Sequence, residues 1–201
     1  LARVPWLERP TAQLMMSMCN PDGTPFYGDP RQVLAKIAGW FAEKGWTPVV
    51  ACELEFYFVD PKGRNGRPLP PISPATGRRL SAPQVYSVSE MQEFEGVLAE
   101  LARTCLTQGI PADTTISENG PGQYEINLNH VPDVLMAADY AVLMKRAVKG
   151  VARRHNLGAT FMAKPYGEYL GNGLHIHFSI LDEKGVNIFA GKDANGSPIL
   201  H

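Results

Sequence analysis

Two periods alternate in the apolar positions of this chain. Residues 30–41 place Val33, Leu34, Ile37, Trp40 and Phe41 at the spacing of one helix face. Asp29 is a good N-cap, Pro30 suits the first helical position, and Gly45 is a natural stop. Residues 47–59 are rich in β-branched and aromatic side chains and predict a strand. Residues 60–84 hold many Pro, Gly and Arg without a period and read as a long loop. Ser87, with Glu90 three residues on, reads as a capping box. The helix it opens runs through Phe94, Leu98, Leu101 and Leu106 to Gly109. Two short strand patterns flank Gly120-Pro121-Gly122 within 112–130. A third helix runs from near Pro132 to about His155, with Leu135, Tyr140, Leu143 and Val151 as apolar positions. Strand patterns return at 158–163 and 173–181. Residues 1–28 read as a strand followed by a loop. Hairpin-like spacing predicts a mixed or antiparallel sheet with helices, an α+β fold in one domain.

Composition narrows the function classes. Of 201 residues, 44% are hydrophobic, enough for a real core. Formal net charge is −1, from 19 basic and 20 acidic residues, so no bulk attraction draws the chain to nucleic acid or an anionic membrane. Cys19, Cys52 and Cys105 are odd in number and far apart, which predicts a reducing, cytoplasmic setting with no disulfide framework. No stretch approaches the length of a membrane span, and residues 1–6 do not read as a signal peptide. Both ends read as cut from something longer.

Three segments carry candidate chemistry. Glu53-Leu54-Glu55 interrupts an apolar strand, and residues i and i+2 of a strand share a face roughly 6–7 Å apart. Two buried carboxylates there repel and lose solvation unless a cation compensates them; a wet sheet edge is the plain alternative. His175-Ile176-His177-Phe178-Ser179 alternates, which puts His175, His177 and Ser179 on one face. The preceding Gly171-Asn172-Gly173 permits close approach of a ligand or of backbone. Glu118 and Glu125 bracket Gly120-Pro121-Gly122, a turn able to bring them together, although a polar hairpin tolerates Glu as well. Together, four glutamates and a histidine on strand-like segments suit Mg²⁺ or Mn²⁺ rather than zinc or copper. Such metals usually accompany phosphates, yet the G-x-x-x-x-G-K-S/T phosphate loop is absent.

In these segments the sequence resembles the glutamine synthetase superfamily, over about residues 25–185. The likeness rests on three ordered blocks, Ala51–Phe56, Glu118–Ile126 and Gly171–Ser179, supported by Ala159–Pro165. It is nearer the branch that ligates glutamate to polyamines or other amines. The resemblance implies a curved, mostly antiparallel sheet with packed helices. Residues 1–201 would be the N-terminal part of a catalytic domain, preceded in the family by a β-grasp domain and followed by the domain's second half. It implies two Mg²⁺ or Mn²⁺ sites. Glu55, Glu118 and Glu125 match the ligands of the metal nearest glutamate. Glu53 and His175 match ligands of the metal that bridges the ATP phosphates, whose third ligand would lie beyond residue 201. His177 and Ser179 match nucleotide contacts, and Asp113 falls near an acidic one. Gly171 matches the loop whose backbone holds glutamate, and Leu170 stands where Asn or Ser is common. The implied activity is an ATP-dependent carboxylate–amine ligase, with glutamate, an amine and ATP as partners, working as a homo-oligomer at full length. Residues 1–201 alone are expected to lack turnover. A non-catalytic relative that kept the fold is the alternative.

Overall fold

The computed structural model describes residues 2–64 and 67–200. Its elements in chain order are β1 (Ala2–Arg3), β2 (Ala12–Gln13), α1 (Pro30–Ala42), β3 (Thr47–Arg64), β4 (Arg67–Leu69), α2 (Val88–Glu93), α3 (Glu95–Gln108), β5 (Ala112–Ser117), β6 (Gln123–Leu128), α4 (Val134–Arg154), β7 (Gly158–Thr160), β8 (Leu174–Leu181), β9 (Ala190–Lys192) and β10 (Pro198–Leu200). The fold is α+β. A six-stranded sheet runs β4-β3-β6-β5, with β7 and β8 also paired to β3. The pairings of β3 with β4, β6 and β7, and of β5 with β6, are antiparallel.

The chain divides into two compact units. The first comprises Leu1–Leu14, Cys52–Asn129 and Tyr140–His175. Its core is built from alternate residues of β3 and β6, although β6 is buried on both faces from Gln123 to Ile126. Leu54, Phe56 and Phe58 turn inward on β3, and Tyr124, Ile126 and Leu128 on β6, all nearly inaccessible to water. Phe58 stacks on Phe94 with centroids 5.9 Å apart, and Phe56 meets Phe58 edge-on at 5.2 Å. The α4 stripe Met144, Ala147, Val148, Val151 and Ala152 is fully buried at helical spacing. Cys105 Sγ lies 4.0 Å from Met144 Sδ, so this thiol is a core group; Cys52 is buried too, and all three cysteines are free.

The second unit comprises Met15–Ala51, His130–Asp139 and Ile176–His201. Asp29 caps α1 by accepting from the Arg31 amide at 2.9 Å, and Arg31 grips Asp139 through Nε and Nη2, each at 3.1 Å. The apolar stripe of α1 is nonetheless open, since Val33, Ile37 and Trp40 are all exposed.

Several expectations shift. The second helix breaks at Phe94, whose φ of −107° and ψ of 13° leave the helical basin, and α3 then starts afresh. The buried face of α3 is Val97, Leu101, Thr104 and Cys105, whereas Leu106 is exposed. β3 runs five residues past Val59 to Arg64, and β4 also falls within the expected loop 60–84. Along β8 both faces stay open until Ile180, so its alternation of residue types does not become an alternation of burial.

Candidate metal centre

The inward side chains of β3 and β6 make the core, so the residues between them face the other way together. Register pairs Glu53 with Asn127, Glu55 with Glu125, and Tyr57 with Gln123. Glu55 and Glu125 are therefore directly opposite neighbours of like charge, a pairing that destabilises a sheet. β5 pairs with β6 on its other side and ends at Ser117, and the Gly120–Gly122 turn closes that hairpin with Glu118 at its mouth. Gly122 has φ +78°, and a Cβ there would strike Pro71 Cγ at 2.5 Å, so glycine is required at the turn.

His175, the last residue of the first unit, joins this face. Its Nδ1 lies 2.9 Å from Glu53 Oε2. Donor atoms of Glu53, Glu125 and His175 lie within 4.8 Å of one another, a group able to hold a metal ion. The Glu53 contact occupies Nδ1 and leaves Nε2 for a ligand, the arrangement by which a carboxylate orients a metal-binding imidazole. Gly173 keeps the site open. A Cβ on it would lie 2.7 Å from Glu55 Oε1 and 3.1 Å from His175 Nε2.

The electrostatics match that geometry. Burial raises the Glu118 carboxyl above its ordinary value, and Glu125 and Glu55 raise it further. Glu125 is raised by burial, then by Glu53 and Glu55. His175 is raised mainly by its hydrogen bond to Glu53. Glu118, Glu125 and His175 thus each sense neighbouring glutamates, and the single imidazole is too little positive charge for four carboxylates. Asn127, opposite Glu53, also buries its Oδ1 without a hydrogen-bond partner. A surplus of oxygen donors, mutual repulsion and an orphaned carbonyl oxygen together fit a hard divalent cation.

Of the remaining expected residues, Gly171 meets this face through its carbonyl oxygen, which accepts from Gln123 Nε2 at 2.9 Å. His177 and Ser179 belong to the second unit, where the His177 ring approaches His130 with centroids 6.3 Å apart. Asp113 sits at a register break near the start of β5, the opposite end from Ser117, and its Oδ2 accepts from Thr114 Oγ1 at 3.4 Å. Gly171 lies beside Ala163, whose carbonyl oxygen would be 2.4 Å from an added Cβ. Leu170 presents its carbonyl oxygen to the Tyr57 hydroxyl at 2.8 Å.

Two residues given no site role by the sequence hold the Gly120–Gly122 turn. Gln123 shares it with Glu125 by strand alternation and is 1% exposed. Glu90, expected to cap its own helix, instead sends Oε1 to accept from the Gly122 amide at 3.0 Å. Ser87 Oγ does accept from the Glu90 amide, at 3.1 Å, so half of the capping box forms.

The family profile described as "Glutamine synthetase, catalytic domain" matches residues 27–201. The chain belongs to the glutamine synthetase catalytic-domain family. It is 42% identical to γ-glutamylputrescine synthetase PuuA of Escherichia coli K12 over 189 residues, which cover 94% of this chain and 40% of that protein. Glutamate–isopropylamine ligase of a Pseudomonas species is 32% identical over 201 residues, 98% of this chain and 42% of that protein. These relatives agree with the expected likeness to the amine-using branch. The chain spans about two fifths of their length. Apo GmaS superposes with a TM-score of 0.75 at 31% identity, over 88% of this chain and 40% of that one. Glutamine synthetase of Plasmodium falciparum, at 20% identity and a TM-score of 0.74 over 88% of this chain and 38% of that one, shares the fold. Among the described residues no helix is long and apolar enough to cross a membrane.

Proposed function

We propose that this chain forms the metal-binding part of an ATP-dependent ligase that joins the γ-carboxylate of glutamate to an amine. The observation that carries the reading is the direct opposition of Glu55 and Glu125 on one sheet face, with Glu53, Glu118 and His175 close enough to perturb or be perturbed. A sheet keeps such repulsion only for a use. Family membership and relatives named for glutamate–amine ligation support the same reading.

Glu55, Glu118 and Glu125 would hold one Mg²⁺ or Mn²⁺, and Glu53 with His175 a second. These ions would supply charge neutralisation on the phosphoryl group being transferred. The chain's own residues do the rest. Glu53 fixes the His175 ring through Nδ1. The Gly171 backbone would hold glutamate, and His177, Ser179 and Asp113 would contact nucleotide. The reaction would run through phosphorylation of the γ-carboxylate, then displacement of phosphate by the amine. Water must be kept out, because an acyl phosphate hydrolyses. The working protein would be a homo-oligomer, and residues 1–201 alone would give no turnover.

The test has two parts. Calorimetric titration of residues 1–201 with Mn²⁺ should show binding that Glu55→Ala abolishes; a non-catalytic relative would show none. The full-length protein, supplied with ATP, glutamate and a panel of ammonia, putrescine and isopropylamine, should release phosphate with at least one of them. No phosphate release with any amine, at saturating Mn²⁺, would sink the ligase reading.

A further inference from the structure

The Gln123 side chain ties together parts of the site that the ligands alone leave separate. It is 1% exposed. Its Oε1 accepts from the Gly120 amide at 2.9 Å, which settles the orientation of the carboxamide, because an NH₂ group there would face another donor. Nε2 then points at three acceptors: Gly171 O at 2.9 Å, Glu55 Oε2 at 3.1 Å and Asn172 Oδ1 at 3.2 Å. An amide nitrogen carries two hydrogens. Three acceptors therefore share two protons, and whichever acceptor is most negative takes the largest share.

That shortage makes the amide responsive. With Glu55 fully charged and uncompensated, the carboxylate is the strongest of the three acceptors. Drawing its charge toward a cation weakens it as an acceptor and returns hydrogen-bonding capacity to Gly171 and Asn172. The loop is otherwise pinned at its flanks. The Asn172 amide donates to Ala163 O at 2.8 Å, Asn172 Nδ2 donates to Met162 O at 2.9 Å, and the Glu55 amide donates to Gly173 O at 3.2 Å. Gly171 O itself is held by Gln123 Nε2.

We propose that Gln123 is a positioning residue that couples cation occupancy at Glu55 to the order of the Gly171–Asn172 loop. The inference rests on the metal-site reading above and goes beyond it, because it assigns the link to one buried carboxamide. The coupling is reciprocal. Whatever orders the loop strengthens the cation site by the same factor, so a ligand held by the Gly171 backbone and the metal would reinforce each other.

Hydrogen exchange followed by mass spectrometry on peptides covering 163–174, with and without saturating Mg²⁺, tests the link. Calorimetry on the same samples reports binding itself. In the wild-type chain Mg²⁺ should slow exchange at 171–173 by about fivefold or more. Gln123→Met keeps the length and loses every polar contact, and Gln123→Glu keeps the acceptor for Gly120 but replaces the donor. Both variants should still bind Mg²⁺ with an affinity measurable by calorimetry while the slowing at 171–173 disappears. Equal slowing in a variant that binds Mg²⁺, or binding without slowing in the wild type, overturns the coupling. Absence of Mg²⁺ binding in the wild type overturns the metal-site reading and this inference with it. Binding without slowing in the wild type overturns the coupling even if neither variant folds.

Discussion

The two faces of the β3–β6 ribbon are built from alternate residues of the same strands and do opposite things. One face holds Leu54, Phe56, Phe58, Tyr124 and Ile126, which are buried against aromatic neighbours and contribute to folding. The other holds Glu53, Glu55, Gln123 and Glu125, where like charges face each other across the pair. A strand fixes side-chain direction so firmly that a site carrying unfavourable charge can sit one residue away from the densest packing in the molecule. The core face supplies the rigidity that keeps the carboxylates together despite their repulsion.

The comparison breaks most completely from the core side. Phe56→Ala should cost about 3–5 kcal/mol, because a fully buried ring leaves a cavity among Phe58, Tyr124 and Phe161. Urea denaturation read by circular dichroism checks it, and a cost under about 1 kcal/mol contradicts the packing described.

Glu90 sharpens the contrast, since it is a carboxyl buried beside the turn and away from the cluster. Burial lifts it from 4.5 to about 7, against the opposing hydrogen bond from Gly122. Between those values the unfolded chain ionises while the folded chain stays protonated. Stability therefore falls as pH rises from about 4.5 to about 7 and is level above it. Glu90→Gln mimics the protonated form and still offers an acceptor to Gly122. The stability difference, variant minus wild type, should grow by about 3 kcal/mol across that window. Denaturation midpoints at pH 4.5, 6 and 7.5 measure it, and a difference that does not change with pH would refute the buried carboxyl.

A smaller effect is expected at the helix that carries Glu90. Ser87→Ala removes the acceptor for the Glu90 amide and should cost about 1 kcal/mol. It should leave the pH window of Glu90 in place, because the Glu90 carboxyl is held from Gly122 and not from its own helix.

Much of this was legible before the structure. Asp29-Pro30 and Gly45 bound α1, and alternation in 47–59 put Glu53 and Glu55 on one face as observed. The turn at Gly120–Gly122 brought Glu118 and Glu125 within electrostatic reach, as proposed from its residues. What stayed hidden depends on distant partners. The break at Phe94 follows from packing against Phe58 and Tyr124, which no local propensity encodes. Glu90 has ideal spacing for a capping box, yet a buried amide from the Gly122 turn out-competes the solvent-exposed cap. Gln123 drew no reading from its sequence, because two of its four contacts are fixed by tertiary approach of the 171–172 loop and a third by Glu55. The resemblance divides Glu125 from Glu53 and His175 between two metals, while the closest three-donor group among the described residues joins them.

The central claim is that the site face sacrifices stability for cation binding. Thermal melts of Glu125→Gln with and without Mn²⁺ test it most directly. The substitution keeps size and shape but removes the charge opposite Glu55. Without metal its midpoint should exceed that of the wild type by about 2–4 °C, the shift expected for roughly 1 kcal/mol in a chain of this length. Mn²⁺ should raise the wild-type midpoint and leave the variant's nearly unmoved. A variant less stable than the wild type without metal, yet equally stabilised by Mn²⁺, would contradict the account.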